Sequence, residues 1–289
     1  MIGANISFKN YVDGVKNLKE LDYKYVYFDG DFLIDTKINE LKFVSHIVKE
    51  FNLFPFSLHN LWMFPDDINK IKDFVDFQKE NFEKAKILDV KYLTCHFGWP
   101  KDLKEKEDFN FELYLNRKGI KREDYKRLNI ELLNILCEKA KEYGLSLTIE
   151  NLPPDCLSNF TTTIDDILEI INQVNQPNLG ICFDSGHANI AKIDLYDFVI
   201  KSGDKLFETH FHDNIGYLKD DNSINDLHQP CGIGNINWIE IIKGLEEINY
   251  KNPVIFEIGA DFKVLEINKN NWFKFYYVFK NKLRNLNLP

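Results

Sequence analysis

Residues 179–190 read LGICFDSGHANI, an apolar run followed at once by an aspartate, a glycine and a histidine. An apolar run without polar alternation is typical of a strand that is buried on both faces, as in a parallel sheet. Asp184 and His187 then fall at or just after the carboxyl end of the predicted strand. The same pattern, a buried strand that ends beside a potential metal ligand, recurs along the chain.

Seven further β-rich runs resemble this one, and helical patterns separate most of them. The runs are IGANIS (2–7), KYVYFD (24–29), FPFSLH (54–59), KYLTCH (91–96), LSLTIE (145–150), LFETHFH (206–212) and PVIFEI (253–258). Apolar residues recur at helical spacing in 38–51, 67–88, 122–143, 164–174 and 238–248. Eight β-α repeats without a break in composition predict an α/β fold, a single-domain (β/α)8 TIM barrel over residues 1–289. A doubly wound parallel sheet is the alternative.

One segment interrupts this regular alternation. Residues at about 98–121 are charged and poorly periodic, and they follow the fourth strand. Loops after the strands of such a barrel lie over its mouth, and long loops without a function are uncommon. We therefore predict a long loop insertion over the mouth, acting as a lid or substrate-contacting arm, with a functionally neutral insertion as the alternative.

Composition limits the class of protein. Of the 289 residues, 44% are hydrophobic and 14% aromatic, which is ample material for a large core. We find no apolar run of about 18 residues and no signal-peptide pattern at the start. The five cysteines are scattered and odd in number, which favours reduced thiols and a cytoplasmic protein without a membrane partner. The net charge of −9 argues against a broad nucleic-acid surface, although a local basic face would fit within it. A homo-oligomer is compatible with the sequence.

Potential metal ligands collect at the predicted strand ends. Six of the seven histidines lie there, together with four acidic residues. Because the carboxyl ends of barrel strands share one mouth, residues far apart in sequence can bind one ion. The predicted ligands come from strands five to eight: Glu150, Asp184, His210 and Glu257. Three carboxylates and one imidazole suit Mn²⁺ or Mg²⁺, with Zn²⁺ or Co²⁺ as alternatives.

Other side chains are expected around this set. Five could bind further metal ions or the substrate: His59, His96, His187, Asp226 and His228. His212 has the strand parity of His210 and is expected beside the ligands or as a substrate contact. Trp62 and Trp99 follow strand ends and are further substrate-contacting candidates, or they roof the barrel.

The run HQPCGIGNINW (228–238) has two glycines before a helix start, where N–H groups could hold an anion such as phosphate or form a simple turn. Other catalytic patterns are not found. No lysine closes a strand, as a Schiff-base enzyme would require, and no phosphate-binding glycine motif follows the first strand.

Four motifs together resemble the xylose isomerase-like TIM barrel superfamily, which includes sugar and sugar-phosphate isomerases and epimerases, and also endonuclease IV. They are TIEN (148–151), FDSGHANI (183–190), HFHD (210–213) followed by H-x3-GxG-x3-W, and IFEIG (255–259). Likeness to the ketose epimerases implies that the four predicted ligands bind one ion. It also implies that Glu150 and Glu257 act as acid and base, and that His187 touches a substrate hydroxyl.

This resemblance implies a metal-dependent sugar or sugar-phosphate isomerase or epimerase, which removes a proton from carbon and returns it through an enediolate. The chain departs from the ketose epimerases in the loop after strand seven. Their arginine that reaches the sugar has no counterpart, since residues 211–236 contain no arginine.

Likeness to endonuclease IV implies a different enzyme, a phosphodiesterase that acts on abasic DNA. Trp62 could imitate an intercalating aromatic residue, although the loop after strand two is acidic. Nine positions match its three-zinc site: His59, His96, Glu150, Asp184, His187, His210, Asp226, His228 and Glu257. Phosphate contacts would come from Arg117, Lys118, Lys121 and Arg122. A dehydratase-like or non-catalytic sugar-binding relative is the remaining alternative.

Overall fold

The computed structural model describes residues 1–34, 36–60, 64–98, 111–154, 160–216 and 226–286. Within these ranges eight parallel strands are present, and each of the eight predicted strands is found. Their bounds are β1 Ile2–Ile6, β2 Tyr25–Phe28, β3 Phe54–His59, β4 Tyr92–Cys95, β5 Ser146–Glu150, β6 Leu179–Asp184, β7 Leu206–His210 and β8 Val254–Phe256.

The strands close into a barrel. Consecutive strands pair from β1 to β7, and β8 pairs with β1. β7 and β8 meet just beyond the end of β7. There the Phe211 N–H donates to the Ile255 carbonyl at 2.9 Å, and the Glu257 N–H donates to the Phe211 carbonyl at 3.0 Å. The predicted (β/α)8 barrel is therefore confirmed, and the doubly wound alternative is wrong.

Helices follow the strands and cover the outside of the barrel. Their bounds are α1 Tyr11–Glu20, α2 Ile38–Glu50, α3 Ile71–Leu88, α4 Phe111–Lys118, α5 Arg122–Glu142, α6 Ile164–Val174, α7 Ser185–Ile190, α8 Leu195–Ser202, α9 Trp238–Glu247 and α10 Phe262–Leu286.

The start and end of these helices have local causes. The Thr163 hydroxyl accepts from the Asp166 N–H, and the Asp166 carboxylate accepts from the Thr163 N–H, so a capping box starts α6. Gly144 follows α5 with φ of +74°, the left-handed conformation in which glycine stops a helix. α6 then turns an apolar stripe toward the sheet, which buries Ile164, Ile167, Ile170, Ile171 and Val174.

The barrel interior is packed below its mouth. Tyr27, Phe56, Tyr92 and Ile255 form a separate buried cluster there. The main core lies between the sheet and the helices and includes fully buried aromatic residues such as Phe82 and Trp238. The barrel is thus a filled scaffold, which leaves the carboxyl ends of the strands as the place where polar side chains converge.

The insertion predicted at about 98–121 contains a helix, α4, which was not predicted from the sequence. Residues 99–110 lie outside the described residues. α4 is too short to show a clear period, and its two buried residues, Phe111 and Leu115, are the signal that was missed.

α4 is fixed to the segment that follows β3. The Asp66 carboxylate accepts from the Tyr114 hydroxyl at 2.9 Å and lies 2.9 Å from the Lys118 ammonium. Lys70 lies 3.1 Å from the same carboxylate, and these donors lower the pKa of Asp66 although burial opposes them. α4 is therefore attached to the segment after β3 through the Asp66 carboxylate and its more exposed lysine partners.

No helix in the described ranges is long and apolar enough to cross a bilayer. The four described cysteines are free and buried: Cys95, Cys137, Cys182 and Cys231. Burial raises the pKa of the Cys95 and Cys182 thiols well above the usual value. These thiols therefore contribute to packing in their protonated form.

A close approach at Gly180 provides a test of the packing that positions β6. A Cβ at Gly180 would lie 2.3 Å from ring atoms of Phe207 on β7. We expect Gly180→Ala to lower the free energy of unfolding by about 1–3 kcal/mol, because the ring must move. Gly144→Asn is the control, since a Cβ at Gly144 would meet nothing within 4 Å and asparagine tolerates positive φ. Equal denaturation midpoints for Gly180→Ala and wild type would contradict this packing.

Candidate metal centre

The carboxyl ends of the strands bring the predicted ligands together. Ligand atoms of four side chains lie within 4.8 Å of one another: Glu150, Asp184, His210 and Glu257. Two of them end their strands, β5 and β6, and a third ends β7. Glu257 follows β8 directly. The structure thus places the four residues at one rim of the barrel.

Glu150 lies at the centre of the cluster and is 1% exposed. One carboxylate oxygen lies 3.1 Å from His96 Nε2 and 3.6 Å from His59 Nε2. The other lies 3.6 Å from His210 Nδ1. Burial alone would raise the pKa of Glu150, but the imidazoles of His210, His59 and His96 outweigh it and lower the pKa well below its usual range. Glu150 is therefore a carboxylate across the physiological pH range.

Several buried polar atoms in this cluster have no hydrogen-bond partner among the described residues. They include His210 Nδ1 and Asp184 Oδ2. His210 Nδ1 also lies 3.5 Å from Glu257 Oε2, which is close for an ion pair but long for a hydrogen bond. Unpaired buried polar atoms are costly, and an ion held between them would satisfy them. With three carboxylates and one imidazole, the donor set fits a divalent cation.

Two further groups flank this set. His59, His96 and Glu150 form one, with the two imidazole Nε2 atoms 3.1 Å apart. The other lies around Asp226, whose Oδ2 is 3.2 Å from His187 Nε2 and 3.1 Å from His228 Nε2. All nine residues with a counterpart in the predicted three-ion site therefore lie in one continuous cluster.

Backbone carbonyls orient three of these histidines. Nδ1 of His59 lies 3.1 Å from the Asn60 carbonyl, and Nδ1 of His187 lies 2.9 Å from the Asn151 carbonyl. Nδ1 of His228 lies 2.9 Å from the carbonyl of Glu257. A carbonyl only accepts, so each Nδ1 carries a proton and each ring presents Nε2 to the site.

His212 lies inside the cluster. It is fully buried and stacks on His228, with ring centroids 4.1 Å apart and an interplanar angle of 4°. Its Nε2 lies 3.1 Å from Asp184 Oδ1 and 3.4 Å from Asp226 Oδ1. A Cβ at Gly186 would lie 1.9 Å from its ring, which explains the glycine in FDSGH. The structure thus places His212 among the carboxylates.

The polar residues of the sequence motifs hold the ligands in place. The Asn151 amide donates to the Asp184 carbonyl at 2.9 Å and accepts from the Asp184 N–H at 2.8 Å, which joins the ends of β5 and β6. The buried Asp213 carboxylate accepts from the N–H groups of Gly232 and Ile236 and from the Trp238 indole. Two N–H groups of the glycine loop therefore bind Asp213, where the sequence had suggested an anion site.

Three residues near the cluster were missed in the sequence. Asp29 follows β2 directly, in the same position relative to its strand as Glu257, and this was the available signal. Tyr27 is buried, and its hydroxyl donates to Glu257 Oε1 at 3.2 Å. Glu208 lies inside β7, where nothing in the sequence distinguishes a site residue from a packing residue. Trp62 and Trp99 lie outside the described residues.

The fold and the cluster together agree with the family comparison. The family model of the xylose isomerase-like TIM barrel matches residues 15–272, so the chain belongs to this family, as the motifs predicted. The uncharacterized protein MJ1311 of Methanocaldococcus jannaschii is 35% identical over 135 residues, which cover 45% of this chain and 42% of that protein. Inosose isomerase of Bacillus licheniformis is 27% identical over 210 residues, which cover 71% of this chain and 67% of the isomerase. The chain thus spans less than half of the first relative's length.

Solved structures share the fold over nearly the whole chain. A D-tagatose 3-epimerase-like protein superposes with a TM-score of 0.73 at 23% identity, covering 97% of this chain and 99% of that one. The IOLI protein with a bound zinc atom superposes with a TM-score of 0.70 at 20% identity, covering 96% and 98%. At these identities the likeness establishes the barrel.

Asp29 should make the stability of the metal-free protein depend on pH. Burial, and then the charge of Glu257, raise the pKa of Asp29 from 3.8 to about 7. Because the folded-state pKa is raised, the stabilisation is complete below 3.8 and is lost as the pH rises to about 7. We expect Asp29→Asn to match wild type at pH 4 and to be more stable by about 1–3 kcal/mol at pH 8.

Denaturant unfolding of chelator-treated protein at both pH values measures this difference. Asp13→Asn is the control, because the Asp13 side chain is 81% exposed. A constant difference between Asp29→Asn and wild type from pH 4 to pH 8 would show that Asp29 is not buried as described.

Proposed function

We propose that the protein is a metal-dependent isomerase or epimerase that acts on a small sugar, a polyol or its phosphate by proton transfer at carbon. The observation that carries this proposal is the convergence of two carboxylates, Glu150 and Glu257, with Asp184 and His210. Relationship to inosose isomerase and a fold shared with a D-tagatose 3-epimerase-like protein support this class of reaction.

The four side chains would hold one divalent cation, of which Mn²⁺ or Mg²⁺ suit the oxygen-rich set, with Zn²⁺ or Co²⁺ as alternatives. A bound cation would polarise two adjacent substrate oxygens and stabilise the charge of an enediolate. A zinc atom is bound in the related fold of the IOLI protein. The unpaired buried atoms His210 Nδ1 and Asp184 Oδ2 support this assignment.

The two glutamates differ in their surroundings, which suits one to removing the proton from carbon and the other to returning it. Glu150 is held in its carboxylate form by neighbouring imidazoles, which is the form that a proton acceptor requires. Glu257 is more exposed, at 16% of its side chain, and its Oε1 accepts from the Tyr27 hydroxyl. Because the two residues lie at the carboxyl ends of strands three apart around the barrel, they would flank a substrate carbon from different sides.

Solvent isotope exchange tests this mechanism. Protein loaded with Mn²⁺, Mg²⁺, Zn²⁺ or Co²⁺ and incubated with a panel of ketoses, inososes and sugar phosphates in D₂O should place deuterium at one carbon. We expect Glu257→Gln to lower this exchange by about 10²–10⁴-fold, because the second proton-transfer group is lost. His46→Gln is the control, since His46 lies exposed on α2 and pairs with Glu50.

NMR of the recovered sugars measures the exchange, and metal analysis of each variant shows whether the site is still filled. A metal-loaded wild type that exchanges no C–H position across the panel would contradict the proposal. So would a Glu257→Gln variant that keeps its metal and turns over at the wild-type rate. Ligand binding without exchange would leave the non-catalytic or dehydratase-like alternative.

A metal-dependent phosphodiesterase of the endonuclease IV type is the second candidate. The two flanking groups around His59 and Asp226 favour it, because they could hold two further ions. Two of the four predicted phosphate contacts argue against it. Lys118 is paired with Asp66, and Arg122 is paired with Glu112 at 2.8 Å. The net charge of −9 also opposes binding of a polyanion.

Metal stoichiometry separates these two functions. We expect dialysed protein to retain about one divalent ion per chain, since the four-residue set supplies four ligands for one ion and leaves its remaining positions open to substrate oxygens. Elemental analysis of protein loaded with Zn²⁺ and with Mn²⁺ gives this number, and cleavage of a duplex with one abasic position gives the matching activity. Three tightly held zinc ions together with cleavage would overturn the isomerase proposal.

A further inference from the structure

Glu208 is a buried carboxylate that none of the steps above uses. It lies on β7 two residues before His210, inside the barrel, and it is fully buried. An ionised side chain in the interior is costly unless it is paired and hydrogen-bonded. The cost of burying Glu208 must therefore be offset by its hydrogen-bond partners.

Both carboxylate oxygens of Glu208 have partners, and those of Oε2 come from other strands of the barrel. Oε2 accepts from the Thr94 hydroxyl at 2.7 Å and from the Thr148 hydroxyl at 3.1 Å. These threonines lie on β4 and β5, so the bond from Thr94 reaches across the barrel interior to β7. Oε1 lies 3.3 Å from His210 Nε2. The carboxylate thus has one oxygen anchored and the other directed at the imidazole.

His210 is oriented in the opposite sense to the three histidines that bind backbone carbonyls. His59, His187 and His228 use Nδ1 for the carbonyl and present Nε2 to the site. In His210 it is Nδ1 that faces Glu150 and Glu257, at 3.6 and 3.5 Å. A backbone carbonyl does not set this orientation, because Nε2, the second nitrogen of His210, points into the barrel interior toward Glu208.

Among the described neighbours of His210, Glu208 is the side chain that can set this orientation. The Cys182 thiol also lies beside the ring, but a thiol sulfur is a weak acceptor. An ionised carboxylate accepts only, so a bond from Nε2–H to Glu208 leaves the Nδ1 lone pair free. A carboxylate partner also increases the basicity of a ligating imidazole.

We propose that Glu208 is a positioning residue of the metal centre, which holds His210 with its proton on Nε2 and its Nδ1 lone pair directed at the site. Thr94 and Thr148 hold Glu208 in the required orientation. The inference rests on the proposed function only in taking Glu150, Asp184, His210 and Glu257 as the ion site.

Glu208→Gln separates this role from simple filling of the interior. Glutamine has nearly the same volume, and its amide can still bond to the two threonine hydroxyls. However, an amide both donates and accepts, so it no longer dictates which nitrogen of His210 carries the proton. We expect the dissociation constants of Zn²⁺ and Mn²⁺ to rise by roughly 10–100-fold in the variant, with little change in thermal unfolding of the chelator-treated protein.

Two measurements report on the inference. Competition with a chromophoric chelator gives the metal affinities. Long-range ¹H–¹⁵N NMR of zinc-loaded protein identifies the ligating and the protonated nitrogen of His210. We expect Nδ1 ligation with a slowly exchanging Nε2–H in wild type, and fast exchange or loss of that proton in E208Q. Ser57→Ala is the matched interior control, because the buried Ser57 hydroxyl has no hydrogen-bond partner in the described structure.

Thr94→Val provides a second variant that keeps Glu208 itself and removes its shortest bond. It should weaken metal binding in the same direction and less than E208Q. Wild-type affinity in E208Q, or an unchanged His210 spectrum, would overturn the inference while leaving the proposed function intact. A wild-type protein that binds none of the ions would overturn both.

Discussion

Mutual repulsion among carboxylates is the constraint on which the site depends. Glu150, Asp184 and Glu257 have ligand atoms within 4.8 Å of one another, and like charges at this distance oppose folding. The imidazoles offset this cost. Burial disfavours a charged His210, yet the surrounding acidic groups outweigh burial and raise its pKa well above its usual value. The same balance raises the pKa of His228 to about 10. The metal-free site is thus held together by protonated histidines, which a divalent cation would replace.

Much of this arrangement could be predicted, because strand ends are visible in the sequence. β3 and β6 have the predicted bounds, and the four central ligands lie at or directly after the ends of β5 to β8. Strand order then follows from the fold, which brings residues such as Glu150 and Glu257 together although 107 positions separate them. Alternation of buried strands and amphipathic helices was sufficient for that step.

The face of the sheet that a side chain occupies was harder to predict, because it depends on local irregularities in strand pairing. The register shifts between Ile181 and Cys182 where β6 meets β7, and between Val26 and Tyr27 where β2 meets β3. Such bulges reset which side chains face the interior. Glu208 has the same strand parity as His210, so alternation gives its inward position but does not distinguish a site carboxylate from a packing residue. The burial of His212 depends in addition on the absence of a side chain at Gly186, which is a three-dimensional property.

The joint between β7 and β8 has a consequence for the whole fold. These strands are paired by an isolated bridge at Phe211 and Phe256, whereas every other neighbouring pair within the described residues forms a ladder of several paired residues. His210 ends β7 and Glu257 directly follows β8, so the two residues lie on either side of this bridge. A cation bound to both residues would link β7 and β8 at the isolated bridge, where the barrel strands are least paired. Binding of the cation would then stabilise the closed barrel, so metal occupancy and resistance of the barrel to opening would report on the same binding equilibrium.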